Sequence, residues 1–184
     1  KTQSLRAEPY TTTSNTIGSY STLKNNVEFG TGLLADKFTL DGRLSRISSD
    51  GYIDRATSDL KSLYLSGAYY GADELLKLSV ISGKEKTYQA WNGVPLSYLD
   101  DDSLRTFNSY TYENETDNYW QDHYMLHYNK QLANSGTFNL GLHFTHGEGY
   151  YEQYKNEQDF TNYGLDNVIV GNDTLTETDL IRRK

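Results

Sequence analysis

The chain has 184 residues, with 17 Tyr, 6 Phe and 2 Trp against 2 Pro, 1 Met and no Cys, and it carries a formal net charge of −8. That acidity argues against nucleic acid as a partner, since phosphate binding needs a basic surface that no segment supplies, and the missing Cys excludes disulfides, zinc-thiolate centres and thiol nucleophiles. No run of about 18 apolar residues is present, which excludes a membrane-spanning helix but not a membrane barrel, whose strands alternate and average to a low hydropathy.

Aromatic and β-branched residues in short runs between Gly, Asn, Asp and Ser clusters predict an all-β chain. The opening KTQSLRAEPY lacks the apolar core of a signal peptide. Period-two alternation then predicts six strands: Tyr20 to Leu34, Phe38 to Ile47, Leu60 to Tyr70, Leu75 to Gly83, Tyr119 to Leu132 and Thr137 to His146. They form three hairpins with tight turns at Ala35 to Lys37, Gly71 to Asp73 and Ala133 to Gly136. The other connections are long: Ser48 to Asp59, Lys84 to Asn118, and Gly147 to the end. Short turns on one rim and long loops on the other are the pattern of outer-membrane barrels, with periplasmic turns and extracellular loops.

Register tests this. In the first hairpin a two-residue turn sets Leu33 opposite Phe38, Val27 opposite Leu44 and Glu28 opposite Arg43; in the second, Tyr69 meets Leu76 and Leu65 meets Val80. Each hairpin then has one apolar face, and a wet one that includes Glu28, Asp41, Arg43, Lys77, His123, His127 and Asn139. Tyr69, Tyr70, Tyr119 and Trp120 lie near strand ends, where interfacial girdles sit. A soluble β-sandwich acting as a carbohydrate-binding module alternates in the same way, but it would enclose Leu65, Leu78, Leu126, Leu140 and Phe144 between two sheets.

Candidate sites are few. His123 and His127 are two pleats apart on one face, too far to share an ion; a five-residue turn could instead set His127 opposite His143. Polar lumen residues are the plainer reading. Asp100, Asp101 and Asp102, with Glu113, Glu115 and Asp117, could offer oxygen ligands to calcium, but the spacing lacks the glycine and closing Glu of an EF-hand. The expectation is therefore no cofactor and no metal. Tyr88, Trp91, Tyr98, Tyr110, Tyr112, Tyr150, Tyr151 and Tyr154 crowd the long loops and are the better candidates for ligand contact. No Ser-His-Asp arrangement, GxSxG or HExxH is legible, so no enzyme is expected.

FGTGLLADKFTLDGRLSRISSDGYIDRA, KEKTYQAWNGVP and ETDNYWQDHYMLHYNKQL together resemble the hairpins and long extracellular loops of TonB-dependent outer-membrane receptors. The resemblance implies that residues 1–184 are part of the barrel domain of a larger receptor in the bacterial outer membrane, without the plug domain or TonB box. It further implies energised uptake of a large nutrient (glycan, cobalamin, siderophore or peptide), with outer-membrane lipid, the rest of the barrel and plug, TonB and a surface lipoprotein as partners. Within that reading Leu180 and Ile181 approach a further strand, and Gly30 and Gly32 make room for the plug.

Overall fold

The computed structural model describes residues 5–184. Eight antiparallel strands make one sheet: β1 (Tyr10–Gly18), β2 (Thr22–Gly30), β3 (Phe38–Ser49), β4 (Ser58–Tyr70), β5 (Glu74–Tyr88), β6 (Thr116–Gln131), β7 (Thr137–Asp159) and, as the far edge, β10 (Glu177–Arg183). Between β7 and β10, β8 (Val168–Val170) and β9 (Asp173–Leu175) form a separate two-stranded ribbon. Every strand in the large sheet pairs with its neighbour in sequence except across that ribbon, where β7 and β10 pair.

The expected registers of the first two hairpins stand for Val27 with Leu44, Glu28 with Arg43, Leu65 with Val80 and Tyr69 with Leu76. Leu33 does not meet Phe38. The ladder slips past Gly30, where Gly32 has a φ of +67°, so that Leu34 bridges Phe38 and the Leu33 amide donates to the Ala7 carbonyl. Ala35 and Asp36, both at positive φ, close that turn.

Three strand assignments need correction. The run from Tyr20 to Leu34 is not one strand, because Tyr20 and Ser21, with φ of 58° and 52°, turn the chain between β1 and β2. β1 escaped notice because YTTTSNTIG has no apolar row to alternate; its turn also places one tight connection on the rim that otherwise carries long loops. The stretch after Gly147 is not a loop, since β7 runs on to Asp159 and Leu180 and Ile181 belong to β10, paired with Lys155 and Tyr154.

The two faces differ in kind. Outward rows run from strand to strand as Phe29, Gly42, Leu65, Val80, Tyr124 and Phe144, then Leu40, Gly67, Leu78, Leu126 and Leu142, then Phe38, Tyr69, Leu76, Tyr128 and Leu140. Leu78 is 55% exposed and Phe144 63%. Inward at the sheet centre, Ser66 and Ser79 are 3% exposed and share a hydroxyl contact of 3.0 Å, beside Tyr64, Ala68 and Thr39. A flat single layer would expose both faces alike, so the inward face is the concave one. No second sheet covers Leu65, Leu78, Leu126, Leu140 or Phe144 among the described residues, which removes the sandwich alternative.

Charged residues bracket the outward apolar rows. On β5, Glu74 near one rim and Lys84 near the other lie on the outward parity, with only Leu76, Leu78, Val80 and Ser82 between them. Ten residues at about 3.4 Å each, on strands tilted by about 40°, span roughly 26 Å, close to the apolar band height of about 25 Å in outer-membrane barrels. On β6 and β7 the polar border comes one rung lower, at Asp122 and His146.

Candidate functional site

The long connection from 89 to 115 is not a slack loop. Gln89, directly after β5, is fully buried. Its side-chain amide donates to the Glu152 carbonyl at 2.8 Å and accepts from Gln153 at 3.1 Å, while its backbone donates to Glu115. The Asn108 side chain donates to the carbonyls of Asp54 and Gln89, each at 2.9 Å. Arg55, held at φ 63°, donates to the carbonyls of Asn108 and Tyr110 at 2.8 and 2.9 Å. These buried amides clamp the connection to its neighbour, residues 50–57, and to the upper part of β7. A loop of this length keeps a shape only if its backbone polar groups find such partners.

The clamp sorts the eight aromatic candidates. Trp91, 53% exposed, packs edge-on against Tyr110 and Tyr151 at centroid distances of 6.3 and 5.4 Å. Tyr151 has the inward parity of β7, opposite Asp117. Tyr112 and Tyr154 stack at 5.8 Å beside Glu152, on the opposite parity, and Tyr150 lies under the Arg183 guanidinium at 5.0 Å. Tyr98 packs on Phe107 within the loop, and buried Tyr88 donates to the Tyr112 carbonyl at 2.7 Å. The structure therefore brings Trp91, Tyr110 and Tyr151 together facing inward, and uses Tyr88 and Tyr98 as packing. Tyr150, Tyr151 and Tyr154 lie on β7 and not on a loop.

Tyr119 belongs with the inward group. It has the inward parity of β6 and is 42% exposed, so its expected place in a lipid-facing girdle is wrong, as is that of Tyr70; Tyr69 and Trp120 do face outward. Tyr119 lies across two glycines of β7: a Cβ at Gly147 would meet its hydroxyl at 2.9 Å, and one at Gly149 would meet its Cδ2 at 2.7 Å. In the sequence those glycines look like loop signals. Here they are the seat for a ring, and period-two parity carried past Gly147 is the signal that would have found it.

Glu152 anchors the outer side. Its buried carboxylate accepts from Arg183 at 2.6 Å, Asn114 at 2.7 Å and Tyr112 at 3.2 Å, tying β10, the loop and β7 together. Burial, with Glu152 alongside, pushes the Tyr112 phenol above its ordinary pKa. In the acidic segment, the Ser103 hydroxyl and amide hold the Asp101 carboxyl below the usual range, and Asp102 pairs with Arg105 at 3.1 Å. No three His, Asp or Glu side chains converge on a shared point among the described residues.

On the inward wall the third hairpin settles with His127 opposite Gly141 and Met125 opposite His143. The expected facing of His127 and His143 is therefore wrong by one pleat, because the five-residue turn starts at Leu132. It is His123 that meets His143, ring nitrogens 3.1 Å apart, with the Thr145 hydroxyl 3.0 Å from each.

No protein-family model matches the chain, and no curated protein does. Among solved structures, the closed form of the ferric-catecholate import receptor Fiu of E. coli K12 superposes with a TM-score of 0.70 at 13% identity, covering 97% of this chain and 27% of that one. The chain thus spans about a quarter of the length of the structure it matches. With the open sheet, the one-sided apolar band and the resemblance in the loops, the chain has the fold of a contiguous section of a TonB-dependent receptor barrel.

Proposed function

We propose that the chain is wall and outer rim of a TonB-dependent receptor in a bacterial outer membrane, serving energised uptake of a large nutrient and no catalysis. The observation that carries this is the uncovered outward band, bounded by Glu74 and Lys84 at a separation that fits the hydrocarbon layer. An apolar surface of that extent has no place facing water. The polar concave face, with Ser66, Ser79, His123 and His143, would face the plug, through which TonB would act. Trp91, Tyr110, Tyr119 and Tyr151 would meet the cargo, their ring faces and hydroxyl tips suiting a ligand with planar or sugar rings among the glycan, cobalamin, siderophore and peptide classes. The structural match to a ferric-catecholate import receptor lends weight to a siderophore. A surface lipoprotein would dock on the same outer rim.

The test is placement. Single cysteines at Leu78 and His127 sit on opposite faces at similar height, as the pairs Leu78 with Leu126 and Lys77 with His127 show. In outer-membrane vesicles a lipid-soluble maleimide should label Leu78→Cys and a water-soluble one His127→Cys; the reverse pattern, or equal labelling of both by the water-soluble reagent, overturns the reading.

A further inference from the structure

Across β3, β4 and β5, one outward rung breaks the apolar pattern with charge of a single sign. Arg46 on β3 pairs with Lys61 on β4, and Lys61 pairs with Lys84 on β5, so three cations stand side by side across adjacent strands. Directly opposed side chains in a sheet are about 5 Å apart, and like charges placed so destabilise the pairing. Asp59, one rung higher, offsets part of this, 2.8 Å from Arg46 and 3.1 Å from Lys61. Lys84 is exposed, and no acidic side chain pairs with it among the described residues; Lys86 lies opposite Asp59 one rung above. Of the other outward acids, Asp122 and Glu148 are on β6 and β7, the latter beyond Trp120 on the same rung, while Glu74 is at the opposite border and Glu152 is higher on β7. In a chain of net charge −8, such a row is not what composition alone would place there.

Directly below the cations is a groove of about 420 Å³, floored by Val27, Leu44 and Leu63 and edged by Arg46, Lys61 and Lys84. Cations over an apolar furrow form an amphiphilic surface, and their height, at the border of the apolar band, is that of lipid headgroups. Resting on the reading of the outward face as lipid-facing, we infer that Arg46, Lys61 and Lys84 dock a phosphorylated lipid, the phosphate held among the three cations and an acyl chain lying over Val27, Leu44 and Leu63. The phosphate removes the cost of the opposed like charges, so binding the lipid also ties β3, β4 and β5 together at the outer border.

The experiment uses the full chain in neutral detergent micelles containing either phosphatidic acid or phosphatidylcholine with the same acyl chains, and counts retained lipid by native mass spectrometry. Wild-type protein is expected to retain phosphatidic acid at concentrations about tenfold or more below those needed for phosphatidylcholine, as several cations near an anionic headgroup should produce. The R46Q/K61Q/K84Q variant should lose that preference, while Lys130→Gln, outward at the other border, should keep it. Equal retention of the two lipids by the wild type, or an unchanged preference in the triple variant, overturns the inference. So does displacement of phosphatidic acid by an equal concentration of inorganic phosphate, which would mark a site for free phosphate. Failure of the wild-type chain to enter micelles sinks the membrane reading itself and this inference with it; entry without a preference sinks only the docking strip.

Discussion

Tyr64 shows what the concave face asks of a side chain. It is 6% exposed, and its hydroxyl has no hydrogen-bond partner among the described residues. A buried polar group without a partner costs about 1–3 kcal/mol, so Tyr64→Phe should leave stability unchanged or raise it by about 1 kcal/mol, read as the urea midpoint of refolding into micelles; a loss of that size would show that the hydroxyl is bonded in the folded protein. The glycines under Tyr119 give a second contrast. Gly147→Ala drives a Cβ against the Tyr119 hydroxyl, whereas Gly149→Ala also meets the Asn118 carbonyl at 2.5 Å. Tyr119→Phe should therefore restore the stability lost by Gly147→Ala but not that lost by Gly149→Ala, and equal rescue of both would mean the backbone can yield.

At the scale of strands and loops, alternation decides which substitutions are felt. Leu78→Arg puts a charge among Leu76, Val80 and Leu126 and should cost about 2–4 kcal/mol near the bilayer midplane. The same change at exposed His127, on the concave side of the neighbouring rung, should be close to neutral in the same refolding assay. Gln89→Leu would strand the Glu152 carbonyl and the Gln153 amide, at a cost of about 2 kcal/mol or more, and should make residues 90–115 cut faster under limited proteolysis. The central strands and their registers were legible because apolar rows from Val27 to Phe144 must coincide across every pair. β1 was not, since nine mostly hydroxyl and amide residues carry no row, and its pairing is dictated by β2 and not by its own pattern. The upper part of β7 was hidden by Gly147 and Gly149, whose role depends on a ring from another strand. The inward trio of Trp91, Tyr110 and Tyr151 was legible as a set of aromatics but not as a cluster, because contacts through Gln89 and Asn108 over long sequence separations fix where the loop lies.

At the scale of the whole sheet, a single curved layer with one greasy face and two borders unpaired among the described residues is not a stable object in water. In plain buffer the chain should associate, and in neutral detergent it should run as a discrete species on size exclusion; a monodisperse monomer without detergent would contradict the lipid-facing assignment. The inward wall offers little apolar area, and its hydroxyl and amide contacts, such as Ser45 to Asn26 at 2.6 Å, hold the strands together without a conventional core. Stability of such a layer comes from the ladder and from what surrounds it.

The directions of the two bordering strands carry one more consequence. β1 climbs from the short-turn rim to the tight turn at Ser19 to Ser21, and β10 runs the opposite way, descending from the ribbon side along the upper part of β7 as far as Glu152. A cylinder made by adding staves between them stays antiparallel at both new seams only if their number is even. Any partner supplying an odd count would leave one seam mismatched and the ring unsealed.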